Sequence, residues 1–289
     1  MPSVTALYCY PIKGCAGVEA TRAELRPAGL AHDRSFAVVD EHGQCRTQRR
    51  APRLVLVQPA VAEDGTRLRL RAQGLGELDI EVVTEGPRRA VSMLGTPLGG
   101  IDQGNAVAGW LSELLGSPSR LVRVPPEHDR VTDGETSGTS GYADSCAVHL
   151  VSMSSLRLLN QRLVEHASAP LPMARFRPNV VVDGWACPHA EDGAWRIAIG
   201  VAELGFAKLA ARCAVTMVDP ASGTKAGPEP LRSLAEYRRA GEGKVVFGAK
   251  FAVLRGGWLA VGDELTVSPR GGVSGGHLAG LDPSVLPPR

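Results

Sequence analysis

Four short stretches of the 289-residue chain combine cations, small residues and thiols: "YPIKGC", "AHDRSF", "RFRPNVVV" and "ARCAVTMVDP". They contribute Lys13, Gly14 and Cys15, then Asp33 and Arg34, then Arg175, Arg177 and Asn179, then Arg212, Cys213 and Asp219. Arginine offers a planar fork of donors that matches phosphate or carboxylate oxygens, and several forks suit an anionic ligand. Cys213 directly follows Arg212, and neighbouring positive charge makes a thiolate easier to form. Such a cysteine is open to three readings: buried filler, nucleophile, or soft ligand for a metal. Each stretch also has a plain alternative. Single cations are usually solvated, Asn179 after Pro178 could start a strand, and Asp219-Pro220 is a turn signal. Taken together, the parts suit an anionic, sulfur-chelated metal cofactor.

The elements that must position these stretches are mostly strands. "SFAVVD" (Ser35 to Asp40) and "RLVLVQPAV" (Arg53 to Val61) are β-rich. Leu68 and Leu70 alternate with arginines, and Leu78, Ile80 and Val82 alternate with acids, the period of strands with one face in water. "RAQGLG" between them carries hairpin glycines. Val107, Trp110, Leu111 and Leu114 have helical spacing with Gly116 as a stop, and Leu156, Leu159 and Leu163 mark a second helix capped by Ser154 or Ser155. "EPLRSLAEYRR" predicts a third, short helix. The long polar segment Pro125 to Ser145 is expected to be a lid or rim. From Asn179 the strand pattern returns, and the β-prone run Ala214 to Val218 puts Cys213 at a strand start. Many short strands with few helices predict a mainly β fold with a few helices (α+β), built as barrels or sandwiches. Residues 271–289, rich in glycine and proline, are expected to form a disordered tail.

Bulk properties remove several classes of function. With 32 basic and 30 acidic residues and 4% aromatics, the chain lacks the basic excess and stacking platforms of a nucleic-acid binder. The N-terminus lacks a secretory pattern and no apolar run is long enough to span a bilayer, so no membrane association is expected and a cytoplasmic location is the default. Its cysteines, Cys9, Cys15, Cys45, Cys146, Cys187 and Cys213, include no CxxC pair, against a structural zinc or plant-type iron–sulfur site. "GTPLGG" lacks the spacing and context of a dinucleotide fingerprint, and no P-loop is present.

The ordered series "YPIKGC…GLAHDRSFAVVD…QRRAPRLVLVQP", "FRPNVVVDG", "RCAVTMVDPASG…EPLRSLAEYR" and "VVFGAKFAVLRGG…VGDELTV" resembles the MOSC family, and within it the amidoxime-reducing components and their bacterial relatives. The resemblance covers Tyr10 to Val267. It implies an N-terminal β-barrel-like domain over 1–90, a helical and loop connection over 91–135 and a MOSC β-barrel domain over 136–270. It implies a molybdenum–molybdopterin cofactor with Cys213 as metal ligand and catalytic residue. Cofactor contacts fall on Lys13, Gly14, Arg34, Ser145, Cys146, Arg177, Asn179, Arg212 and Cys213. The activity implied is reductive removal of oxygen from small N-oxygenated compounds such as amidoximes, N-hydroxylamines and N-oxides. Two electrons and two protons release water, the electrons coming from a separate ferredoxin, flavoprotein or cytochrome b5-like protein, because the ferredoxin-like domain of some bacterial relatives does not follow here.

Two positions depart from the pattern: Gly14 stands where relatives often carry serine, and Lys250 where they tend to carry a polar or aromatic side chain. Two other activities stay open beside the reductase. One is a cofactor carrier or sulfur-handling module, though no pyridoxal phosphate domain precedes the barrel and pyridoxal phosphate binding is not expected. The other is a barrel that has lost the cofactor.

Overall fold

Arg67–Ala72 shows how the alternation becomes structure. Leu68 and Leu70 are fully buried, while Arg69 reaches Asp79 at 2.9 Å and Glu77 at 2.8 Å on the antiparallel strand Gly76–Glu81. With Gln58–Val61 they form a three-stranded sheet, and the expected hairpin turns at Gly74 and Gly76, both at positive φ. The structure, a computed structural model, describes residues 1–269. The tail expected over 271–289 lies outside the described residues.

The buried leucines pack with Ile12, Cys15, Phe36, Leu54 and Val57 beneath the helix Asn105–Leu115. That helix forms as its spacing predicts: Val107, Leu111 and Leu114 face inward, and Gly116 ends it in the left-handed conformation that glycine adopts without Cβ strain. One stretch departs from expectation. Within Arg53 to Val61, Pro52–Leu56 is a 3-10 helix and only Gln58–Val61 is a strand. Pro52 at the first helical position fixes φ and needs no N–H partner there.

The largest element is an eight-stranded sheet ordered Val18–Ala20, Ser3–Cys9, Val180–Asp183, Val148–Ser152, Val246–Arg255, Ala202–Ala211, Ala194–Ile199, Leu265–Pro269. It curls until its ends approach: Val4 N–H donates to Asp263 O and Leu265 N–H to Pro2 O, both at 2.8 Å. Leu7, Leu150, Val180, Ile197, Phe206 and Phe251 fill the interior. The helices Met153–Glu165 and Leu231–Tyr237 pack outside on Phe176 and Phe247. The molecule is thus mainly β with three α-helices among the described residues.

Two further expectations are corrected. The cap of the second helix is Ser152, whose Oγ accepts from Ser155 N–H at 3.2 Å, not Ser154 or Ser155. The run Ala214 to Val218 is not a strand: Ala214–Met217 is a 3-10 turn that follows Cys213. Cys213 O accepts from both Thr216 N–H and Thr216 Oγ1 at 3.0 Å, which closes the turn despite the β-branched residues. The polar segment Pro125 to Ser145 contains the short paired strands Val131–Thr132 and Gly138–Thr139. No helix among the described residues is long and apolar enough to cross a membrane.

Candidate functional site

A cavity of about 670 Å³ opens where the N-terminal core meets the large sheet. Each residue expected to touch a cofactor lines it. Lys13, Gly14 and Arg34 come from the N-terminal part, Ser145 and Cys146 from the end of the polar segment. Arg177 and Asn179 precede Val180–Asp183, and Arg212 and Cys213 follow Ala202–Ala211. Asp144, Lys208, Lys244 and Lys250 complete a wall rich in cations. Other residues of the same stretches point elsewhere. Cys15 is buried in the N-terminal core, Arg175 Nη1 donates to Thr216 O at 3.3 Å, and Asp219 Oδ1 accepts from Ala221 N–H at 3.2 Å.

Tyr10 and Asp33 organise the arginines. The guanidiniums of Arg34 and Arg177 both lie 4.2 Å from the Tyr10 ring centroid. Burial pushes the Tyr10 hydroxyl up to about 12, partly offset by Arg177 and Arg34, so the ring stays neutral and stacks on cations. Asp33 Oδ2 accepts from Arg34 Nη1 at 2.6 Å, and its Oδ1 accepts from Tyr10 N–H at 2.8 Å and Asn179 Nδ2 at 3.0 Å. Arg177 Nη1 donates to Cys15 O at 2.6 Å. Arg34 (φ 47°) and Arg177 (φ 55°) both hold left-handed backbone, a conformation that costs energy for a residue with a Cβ and concentrates at functional sites. Arg34 is fixed there by its N–H to Tyr10 O at 2.7 Å and by Tyr142 N–H to its own carbonyl at 2.8 Å.

Asn179 is spent differently from what a free amide in the wall would suggest. Its Nδ2 donates to Tyr8 O at 3.1 Å as well as to Asp33, and its Oδ1 accepts from His149 N–H at 3.2 Å. It ties together the strands Ser3–Cys9 and Val148–Ser152, leaving one acceptor site free. Gly14 has φ +82°, and a Cβ there would sit 3.2 Å from Leu54 Cδ1, so a serine at this position would be strained. Lys13 Nζ donates to Tyr142 O at 2.9 Å and pairs with Asp144. Burial alone would raise the Asp144 carboxyl, but Lys13, Lys250 and Arg49 outweigh it and hold it well below the carboxylate range.

The inner wall is electropositive. Arg212 Nη2 donates to Phe176 O at 2.9 Å, while its Nε is buried without a hydrogen-bond partner among the described residues. Burial lowers this guanidinium to about 10, partly offset by Cys213 and Asp144. Cys213 is half-buried beside it. Burial also pushes the thiols of Cys15 and Cys45 up to about 12 and 11. His149, one of the wall residues that sequence reasoning missed, is fully buried, and burial with Lys250 and Arg212 nearby keeps its imidazole neutral. Lys208, Lys244 and Asp144 were missed as well. Asp144 directly precedes Ser145 and Cys146 and was within reach of the same stretch, whereas Lys208 and Lys244 sit on segments far apart in sequence, with no motif spacing to betray them.

Residues 1–118 match the MOSC N-terminal beta barrel domain and residues 137–266 match the MOSC domain. The chain is 32% identical to mitochondrial amidoxime-reducing component 1 of Homo sapiens, over 91% of this chain and 82% of that protein. To the Mus musculus protein of the same name it is 34% identical, over 91% and 81%. To molybdenum cofactor sulfurase of Danio rerio it is 32% identical over 86% of this chain, but it spans only 32% of that longer protein.

Proposed function

Because the chain belongs to the MOSC-domain family, we propose that it is a molybdenum-cofactor-dependent reductase of N-oxygenated compounds. The observation that carries the proposal is the cavity. Its wall joins Cys213 to Arg34, Arg177, Arg212 and Lys13. Several cations converging on one cavity create a positive field that an anionic group with phosphate oxygens would offset. The donor set fits the cofactor: cations for phosphate and one soft sulfur for the metal.

In this reading Cys213 Sγ holds the metal, and Arg34, Arg177, Arg212 and Lys13 hold the anionic pterin. Asn179 and Asp33 act as positioning residues. They lock the backbone of His149 and the guanidinium of Arg34 so that the cavity keeps its shape when empty or filled. When bound, the cofactor supplies the two-electron chemistry that removes oxygen from nitrogen. The protein's own part is to orient the group, neutralise its charge and limit water. Electrons come from a separate electron-transfer protein, and the substrate is a small molecule with an N–O bond. Six unpaired cysteines fit a reducing compartment such as the cytoplasm.

Protein purified from a molybdenum-replete host is expected to contain molybdenum and pterin and to reduce an amidoxime with an artificial electron donor. Cys213→Ala should keep the fold and lose most turnover. Unchanged turnover would remove Cys213 from the mechanism, and only trace metal in well-folded protein would remove the cofactor. The zebrafish sulfurase match favours a second reading, a cofactor carrier or sulfur-handling module. Fast cofactor transfer to an apo-enzyme without reductase activity would select it.

A further inference from the structure

Four lysines line the cavity: Lys13, Lys208, Lys244 and Lys250. Three are paired with carboxylates, Lys13 with Asp144, Lys208 with Asp133 at 2.7 Å and Lys244 with Glu242 at 2.6 Å. Lys250 has no carboxylate or hydrogen-bond partner among the described residues, although it is half-buried in the wall. It sits on Val246–Arg255 between two neighbouring strands, opposite His149 on one side and Lys208 on the other. Residues directly opposite on antiparallel strands present their side chains to the same face. Lys250 and His149 therefore enter the cavity side by side.

We propose that Lys250 is the acid–base residue of this cavity, giving a proton to the oxygen that leaves nitrogen. The proposal rests on the reductase reading above. In the reaction an N-hydroxylated compound, two electrons and two protons give the amine and water. The N–O bond breaks, nitrogen is reduced, and a one-electron carrier protein is oxidised twice. Lys250 Nζ gives one proton to the departing oxygen and recovers it from solvent, which supplies the other.

The surroundings favour Lys250 over its neighbours. Burial, with Arg212 and Arg34, lowers its ammonium to about 7, while Cys146 and Asp144 act the other way. Lys208, across the sheet, spends its charge on Asp133. His149 is held neutral, its ring nitrogens 3.5 Å from Arg177 O and 3.3 Å from Phe247 O, so it has no proton to spare. Asp144 is held ionised beside Lys13. A lysine whose midpoint is held below that of an ordinary lysine, near about 10.4, gives up its proton more readily at working pH.

The sign follows from the role. A proton donor works while protonated, so wild-type turnover falls as pH rises through the Lys250 midpoint. A bound anionic cofactor favours the ammonium and moves that midpoint upward. The midpoint is measured without turnover, by competitive acetylation of cofactor-free and loaded protein across pH with mass spectrometry of the Lys250 peptide. It is expected near 7 in the cofactor-free protein and higher in the loaded one. Lys250→Arg keeps the cation but cannot release its proton. It should retain molybdenum, lose about a hundredfold in turnover and lack the alkaline fall of the wild type. Lys250→Met, checked in the same way, covers the case in which arginine does not fit.

A Lys250 midpoint like that of surface lysines overturns the proposal, as does a wild-type pH profile that survives in a loaded, folded Lys250 variant. In both cases an active wild type leaves the reductase reading standing. Loaded wild-type protein without N–O reductase activity overturns both.

Discussion

Asp33 is one carboxylate with three obligations: the Arg34 guanidinium, the Tyr10 backbone and the Asn179 amide. Its side chain is 1% exposed and that of Arg34 11%, so the pair is little screened by water. Asp33→Asn would remove the charge that offsets a buried guanidinium and would turn a donor toward it or toward Tyr10 N–H. Losing one partner of a buried pair typically costs about 3–5 kcal/mol, so a large fall in the urea midpoint at unchanged slope is expected. At this scale the sequence was legible where chemistry is carried by type and local spacing. Arg34, Arg177, Arg212 and Cys213 stand in short stretches dense with cations. His149 was not legible, because one histidine inside the apolar run Ala147 to Val151 reads as core. What brings it to the wall is its pairing with Lys250, about a hundred residues away in sequence.

Strand Val246–Arg255 carries the wall, and Gly248 is its pressure point. It has φ +77°, and a Cβ would lie 2.7 Å from both Leu150 O and His149 Nε2 and 2.6 Å from Val151 Cγ2. Leu150 O belongs to the neighbouring strand's backbone and cannot swing aside. Gly248→Ala would meet the left-handed penalty of about 1–2 kcal/mol and overpacking of about 1–3 kcal/mol. A thermal melt should show a clear drop, and His149 should shift in the cavity wall. Ser152→Ala tests the second helix. Losing the cap costs about 1 kcal/mol, and Ser155 Oγ, 2.6 Å from Ser152 Oγ, would lose a partner as well. Urea titration of that variant reads the loss directly. The hairpin Arg67–Ala72 to Gly76–Glu81 and the two longer helices were legible from periodicity, but Ser3–Cys9, Arg88–Met93, Val148–Ser152 and Ala202–Ala211 gave no signal there. The turn after Cys213 was not, because local β propensity in Ala214 to Val218 is overridden by the two hydrogen bonds that Thr216 makes to Cys213 O.

The two family matches cut the chain near residue 118, but hydrogen bonding does not respect that cut. Ser3–Cys9 pairs along Val180–Asp183, and Val4 and Pro2 bond to Asp263 and Leu265, so the first strand completes the sheet of the second half. The cavity is stitched across the same divide by Arg34 Nη2 to Arg177 O at 3.4 Å, Arg177 Nη1 to Cys15 O and Lys13 Nζ to Tyr142 O. Pairing between residues this far apart leaves no periodic trace, so this closure was not legible in the sequence. If the whole is one cooperative unit, intact protein should unfold in a single transition, with calorimetric and van't Hoff enthalpies in agreement. A fragment beginning at residue 137 would lose the partner of Val180–Asp183 and expose that strand's edge beside Val180 and Val182, both fully buried in the intact chain. Unpaired apolar edges aggregate, so the fragment should be insoluble or lack near-ultraviolet circular dichroism. Supplying residues 1–120 in trans should restore both solubility and signal. A fragment that melts cooperatively on its own would show that the first strand decorates the sheet and does not complete it.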